Sequence, residues 1–284
     1  MAPRAAKAVH TVKDLRRALA RFRRAGETVA LVPTMGALHA GHLTLVELAK
    51  RKADRAIVSI YVNPKQFAPH EDLDRYPRDE AGDREKLAGV GCDLVWAPTG
   101  EEMYPEGFAT RIIANGAALG LETDFRPHFF SGVMTVVAKL FNQAAPDIAI
   151  FGEKDYQQLC VVRQMVRDLD LPLEIVSAPT VREADGLALS SRNAYLSPRE
   201  REIAPALHRA IVDVAAKVAK SGRIPDAVAT SKKVLERAGF RHVDYVEVRD
   251  AETLAPYDPS ARRPGRVLAA AWLGRTRLID NVPV

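Results

Sequence analysis

His39 and His42, three residues apart, share the stretch "VALVPTMGALHAGHLTLVELAK" (29–50) with two glycines, Gly36 and Gly41. The stretch begins as a buried strand and ends as an amphipathic helix, so the imidazoles fall where a strand turns into a helix. A helix N-terminus offers unpaired N–H groups and a partial positive charge to a phosphate. Glycine lets the backbone approach a ligand closely. Imidazole can donate to phosphate oxygens, neutral or charged, near pH 7. These residue types suit the handling of a phosphate-bearing ligand. The Gly-x4-Gly spacing is also that of a P-loop, but His42-Leu43 stands where a P-loop needs Lys followed by Ser/Thr. A metal site is a further candidate, yet no third ligand lies nearby and the helical spacing of a zinc protease is absent. The structural alternative has one imidazole capping the helix and the other packing.

The elements that must position these residues alternate through the first two-thirds of the chain. "TVALVP" (28–33), "AIVSIYVN" (56–63), "DLVWAP" (93–98), "TRIIAN" (110–115), "DIAIFG" (147–152) and "LEIVSAPTV" (173–181) read as strands. Helical patterns start near Gly41, span about 79–89, and recur in "SGVMTVVAKLFNQ" and "YQQLCVVRQMVRDL". Apolar strands separated by helices predict an α/β fold with a mainly parallel sheet covered on both faces. Two helical patterns follow, at about 198–220 and 225–239, and then three consecutive strand candidates, "HVDYVEVRD", "RVLAAAWLG" and "TRLIDNVPV". That order predicts a smaller α+β domain with an antiparallel sheet. The expected division is residues 1–180 and 181–284, with "VREADGLALSSRNAYLSP" as a loop at the junction. Ligands of a parallel sheet collect at the carboxyl ends of its strands. Four polar clusters fall at such positions: 33–42, 63–66, 152–158 and 182–192.

Composition sets limits on function. At 284 residues, 47% hydrophobic and 27% charged, the chain has the make-up of an ordinary globular protein with two domains. No apolar run is long enough to cross a bilayer, and the N-terminus lacks the apolar stretch of a secretory signal. Cys92 and Cys160 are too few for a disulfide framework and are not spaced for zinc. A cytoplasmic protein is expected. The net charge of +5 suggests nucleic acid, but residues 1–24, Arg4 included, hold eight Lys/Arg against one acid, Asp14. The excess belongs to one solvated helix face, so neither nucleic acid nor a membrane is an expected partner.

"HAGH" after a strand resembles the HIGH motif of the class I aminoacyl-tRNA synthetase and nucleotidylyltransferase superfamily, and "LSSRN" (189–193) takes the place of its mobile basic loop. The chain is more specifically similar to the pantothenate synthetase, or pantoate–β-alanine ligase, family. The motifs are "VPTMGALHAGHLTLV", "VNPKQF", "EDLDRYPR", "MYPEG", "GVMTVVAKLFN", "FGEKDYQQL", "VREADGLALSSRNAYLS" and "AAWLGRTRLIDN". They run in family order from about residue 29 to 281.

The resemblance implies a Rossmann-like parallel-sheet domain with a C-terminal α+β lid, a homodimer, and condensation of pantoate with β-alanine using ATP and Mg²⁺. The reaction would pass through a pantoyl adenylate and release AMP and pyrophosphate. Met35, Gly36, Ala37, Leu38, His39, Ala40, Gly41 and His42 would form an ATP-binding loop, with His42 the family's catalytic histidine. Gly152, Glu153, Lys154 and Asp155 would contact ATP, as would Val181, Leu189, Ser190, Ser191 and Arg192. Gln66 and Gln158 would hold pantoate, each offering a donor and an acceptor without a charge. Lys154 and Arg192 suit the charge that spreads over a phosphoryl group in its transition state. Asp83 falls near a family position implicated in Mg²⁺ binding. One departure stands out: "RPHFFSGV" has Phe129 where the family carries histidine, with His128 one place earlier. The alternative enzyme is a nucleotidylyltransferase transferring AMP to a phosphorylated acceptor, which has no need of "FGEKDYQQL". A basic RNA-binding protein is the alternative outside enzymes.

Overall fold

The computed structural model describes residues 5–69 and 71–284, and Arg4 of the basic run lies outside them. In chain order the elements begin with β1 (Ala8–Val9), α1 (Val12–Arg24), β2 (Val29–Thr34), α2 (Ala40–Lys52), β3 (Arg55–Ile60), α3 (Glu80–Gly89) and β4 (Leu94–Trp96). Next come α4 (Gly100–Met103), α5 (Glu122–Phe125), α6 (Phe129–Ala144), β5 (Ile148–Gly152), α7 (Tyr156–Asp168) and β6 (Glu174–Ala178). The remainder is α8 (Pro198–Ile203), α9 (Ala206–Ser221), α10 (Ile224–Ala238), β7 (His242–Asp250), β8 (Gly265–Leu273) and β9 (Thr276–Pro283).

The chain divides into two compact units. One holds residues up to Ala114, Arg126–Glu153 and Val161–Pro179; the other holds Asn115–Phe125, Lys154–Cys160 and Thr180–Val284. In the first, the described residues form a six-stranded sheet of order β1-β4-β3-β2-β5-β6 with every pair parallel. Val29, Ala30, Leu31 and Val32 of β2 are fully buried, as a strand covered on both faces must be. The chain leaves β2 for β3 and β4 on one side, then returns to the other side for β5 and β6. The switch point is therefore between β2 and β5. α1 carries the basic run as expected: Leu15 and Leu19 are buried while Lys13, Arg16, Arg17, Arg21, Arg23 and Arg24 face solvent.

The second unit has the antiparallel sheet β7-β8-β9, as the sequence pattern implies. Its core joins Leu207, Ile211 and Val214 of α9 to Val246, Val267 and Ala269 of the sheet. Two short segments from earlier in the chain belong to it. Glu122 accepts from Arg277 Nη1 at 2.8 and 2.9 Å and from the Tyr245 hydroxyl at 2.7 Å. Gln157 donates to the Ala117 and Gly120 carbonyls and accepts from the Glu122 N–H. These buried polar bonds join 115–125 and 154–160 to the C-terminal sheet, which hydrophobic periodicity could not reveal.

Two expected elements differ. Residues 110–115 are not a strand. β1 occupies the outer edge of β4, so the sheet offers them no ladder there, and the Ile112 N–H donates instead to Thr135 Oγ1. Their β-branched composition supplies propensity without a partner. The helix expected at 198–220 is two helices, because Pro205 lacks the N–H that continuation requires.

Candidate active site

The loop after β2 is shaped by two consecutive residues in the left-handed region, Gly36 (φ 81°) and Ala37 (φ 52°). Gly36 has no alternative, since a Cβ there would lie 3.1 Å from both Asp83 Oδ2 and Ile60 Cγ2. Ala37 holds a conformation that costs an L-residue about 1 kcal/mol. Neighbours over-determine it. Thr34 Oγ1 donates to the Ser59 carbonyl (2.7 Å) and accepts from the Gly36 N–H (3.2 Å). Asp83, buried on α3, accepts the Leu38 N–H at 2.8 Å, and Lys86 Nζ donates to the Leu38 carbonyl at 3.0 Å.

His39 is the N-cap of α2 and His42 its third helical residue. The rings stack obliquely with centroids 4.1 Å apart. His42 Nδ1 accepts from the His39 backbone N–H at 3.3 Å. An imidazole nitrogen that accepts is unprotonated, so the ring proton sits on Nε2 and His42 is a neutral donor there. The structural alternative is thus half realised: His42 caps the helix, and the same bond fixes its tautomer.

Gln66 ends the turn after β3 and is buried. Its Oε1 accepts from Asn63 Nδ2 (3.1 Å) and its Nε2 donates to Met35 Sδ (3.0 Å), which joins the 63–66 cluster to the 35–42 loop. Asn63 is pinned by Tyr104, whose hydroxyl donates to Oδ1 at 2.8 Å, and by its own bond to the Gly132 carbonyl. Gly132 of α6 lies so close to the Lys65 carbonyl that a Cβ would collide with it. Gly152, at the end of β5, lies beside Leu45 of α2, and Glu153 accepts from Ser177 Oγ (3.2 Å). The first unit thus brings together residues 35–42, Gln66, Asp83 and Gly152 around its switch point. A cavity of about 250 Å³ lies beside it, over the ends of β2, β3 and β4, and is lined by Met35, Gly36, Tyr61, Arg78, Asp79 and Asp83. Burial pushes the Tyr61 phenol up to about 12.

The second unit carries the other candidates. The Lys154 ammonium is 3.7 Å from Asp155. Adjacent glutamines take different roles: Gln157 is buried and fully engaged, while Gln158 is half-buried. The 181–192 segment is a closed hairpin, with Leu189 N–H donating to the Val181 carbonyl at 3.0 Å. Ser190 then caps a short 3₁₀ turn holding Ser191 and Arg192. The segment expected as plain loop is locally built.

The departure at 128–129 has its own geometry. Arg126 pairs with both oxygens of Glu71 at 2.6 and 2.7 Å and stacks on the Phe129 ring, 3.9 Å from its centroid. Burial pushes the Glu71 carboxyl up, but this fork more than offsets it and the group titrates below its ordinary value. His128 sits at the N-cap position of α6 without a side-chain capping bond, and its buried Nε2 has no hydrogen-bond partner among the described residues. Motif reading missed Asn63, Gln157, Arg182, Asp280 and Asn281. All lie inside the quoted motifs, but only their burial in three dimensions separates them from ordinary polar residues.

A parallel sheet whose switch point holds a left-handed turn against a helix N-terminus is where Rossmann-like α/β proteins take nucleotides, and this is the class the fold and turn define. The family model described as Pantoate-beta-alanine ligase matches residues 7–283. A pantothenate synthetase of Mesorhizobium japonicum is 58% identical, the match covering 97% of each chain. One from Caulobacter vibrioides is 57% identical over 97% of this chain and 98% of that one. Among solved structures, pantothenate synthetase from Thermus thermophilus superposes with a TM-score of 0.89 at 48% identity, covering 97% of this chain and 98% of that one. Pantoate-beta-alanine ligase from Francisella tularensis, complexed with beta-gamma ATP and beta-alanine, gives 0.83 at 32% identity, over 98% and 97%. The chain belongs to the pantoate–beta-alanine ligase family.

Proposed function

We infer that the chain uses ATP to condense pantoate with β-alanine, giving pantothenate, AMP and pyrophosphate. In the first step a pantoate carboxylate oxygen attacks the α-phosphorus of ATP and pyrophosphate leaves. In the second the β-alanine amine attacks the acyl carbon, loses a proton, and AMP leaves. Neither step requires a protein nucleophile, so positioning and neutralisation of phosphate charge carry the catalysis.

The observation that carries this reading is the His39 N–H to His42 Nδ1 bond, which leaves Nε2 as the donor of an imidazole at the N-terminus of the helix that follows β2. His39 and His42 donate to phosphate oxygens as charge develops, and Lys154 and Arg192 neutralise it. Met35 through His42, Gly152 through Asp155, Val181 and Leu189 through Arg192 hold ATP. Gln66 and Gln158 hold pantoate, and the Met35 thioether against Gln66 fixes that amide's orientation.

Bound together with ATP, Mg²⁺ would neutralise charge on the phosphates. Among the described residues no three His, Cys, Asp or Glu side chains are grouped to hold a metal. A Mg²⁺ ion bound with a nucleotide keeps waters and phosphate ligands and takes only one or two carboxylates from protein. Asp83 fits that part: Oδ1 is committed to Leu38 and Lys86, while buried Oδ2 has no hydrogen-bond partner among the described residues. The reading includes a homodimer in the cytoplasm, with residues 181–284 as a lid that keeps water from the mixed anhydride.

Incubation with Mg²⁺, ATP, pantoate and β-alanine tests it. AMP and pantothenate in equal amounts are expected. ADP and phosphate, or no product, would reject the reading. AMP transfer to a phosphorylated acceptor in place of pantoate would select the nucleotidylyltransferase.

A further inference from the structure

Asp280 and Asn281 are consecutive on β9, and both are almost completely buried. Successive strand side chains point to opposite faces, so the pair grips different parts of the second unit. Asp280 receives the Arg182 guanidinium on both oxygens, at 2.7 and 2.9 Å, with His208 Nδ1 3.4 Å away. Arg182 also donates to the Gly186 carbonyl (3.0 Å) and forms the bridge with Ala188 that closes the hairpin leading into Leu189–Arg192. On the other side, Asn281 Nδ2 donates to the Lys154 carbonyl at 2.9 Å. Its Oδ1 accepts from Arg266 Nε at 2.7 Å, which fixes the amide's orientation, and Arg266 lies over the Tyr156 ring.

Burying two polar side chains in adjacent strand positions is costly unless each is satisfied. Asp280 shares its strand face with the core residues Leu278 and Val282, so its bonds to Arg182 are what make its burial tolerable. One holds the base of the Leu189–Arg192 segment, and the other holds the backbone of Lys154. A single rigid strand thereby fixes the spacing of two cation-bearing segments that lie far apart in sequence.

We propose that Asp280 and Asn281 are positioning residues for adenylation, setting Lys154 and the Leu189–Arg192 segment at the separation that phosphoryl transfer requires. This rests on assigning Lys154 and Leu189–Arg192 to ATP. Asn281→Asp keeps the acceptor for Arg266 but replaces the donor to the Lys154 carbonyl with a repelling oxygen. Misplacement of a catalytic group by about 1 Å costs on the order of 10²-fold in rate.

The test is a double-mutant cycle on pyrophosphate release in a single turnover with ATP and pantoate. Asn281→Asp should slow release about 10²-fold in the wild-type chain, but by no more than about twofold in a Lys154→Ala background, within the scatter of uncoupled sites. Amide formation from supplied pantoyl adenylate should change little. A purely structural role would slow both half-reactions and act equally in both backgrounds, and that additive result overturns the proposal while leaving the ligase reading intact. Asp280→Asn in an Arg192→Ala background supplies the same cycle should Asn281→Asp not fold. If Lys154→Ala and Arg192→Ala each leave pyrophosphate release unchanged, the assignment to ATP fails, and the positioning role with it.

Discussion

Asp83 on α3 holds the backbone N–H of Leu38, in the turn after β2, at 2.8 Å. A carboxylate from a neighbouring helix thus braces the loop that carries the histidines, while its second oxygen faces the cavity at Gly36. Asp83→Ala should lower stability by about 1–3 kcal/mol in urea denaturation, the cost of leaving a buried N–H unpaired. Asp83→Asn should restore most of that, because the amide oxygen accepts the same bond. The Asn variant should still need about tenfold more Mg²⁺ for half-maximal adenylation. An unchanged Mg²⁺ requirement would leave Asp83 as a brace alone.

Gly36→Ala should be among the most damaging small substitutions. It forces a Cβ onto a residue with positive φ and to 3.1 Å from both Asp83 and Ile60. A stability loss of about 1–3 kcal/mol, with a raised KM for ATP, is expected from thermal unfolding and steady-state rates. A variant with wild-type Tm and KM would mean that the turn does not need its left-handed backbone.

His39→Ala and His42→Ala should each slow pantoyl-adenylate formation by about 10²-fold, comparable to losing one donor from an oxyanion hole. Amide formation from supplied adenylate should suffer less. Because His42 also caps α2, His42→Ala should lose about 1 kcal/mol of stability as well. Rapid-quench adenylation and urea curves separate the two effects. Full activity in the folded fraction of a destabilised His42→Ala would show the imidazole to be structural only.

Acid should act on the second unit through Asp280. Burial pushes its carboxyl up, but the His208 and Arg182 contacts more than offset this, and it titrates below its ordinary value. The unfolded chain therefore binds the proton more readily. The stabilisation is fully present above the unfolded value of about 3.9 and is lost as pH falls through the native one. Urea stability of Asp280→Asn should be lower than wild type near neutrality and flatter below about pH 4. Parallel curves over that range would show that Asp280 is not a source of the acid sensitivity.

Much of this was legible in sequence because periodicity and turn chemistry are local. The parallel strands, the α2 N-terminus and the antiparallel C-terminal sheet follow from apolar spacing around Val29–Val32, Gly41–Lys50 and Val243–Val282. What was not legible depends on partners distant in the chain. "TRIIAN" has strand composition but no ladder, and Glu122 meets Arg277 across more than 150 residues. Gln157 and Gln158 are the same residue type on one helix; only the fold decides that the first is a structural tie. The Asp280–Arg182 and Asn281–Lys154 bonds have no sequence period at all.

The most direct test of the central claim, that a pantoate carboxylate attacks the α-phosphorus of ATP, uses pantoate labelled with ¹⁸O in its carboxylate. Turnover with ATP and β-alanine should carry one labelled oxygen into the phosphate of AMP, read by mass spectrometry, with none in pyrophosphate. Unlabelled AMP alongside labelled pyrophosphate or phosphate would contradict the adenylate route.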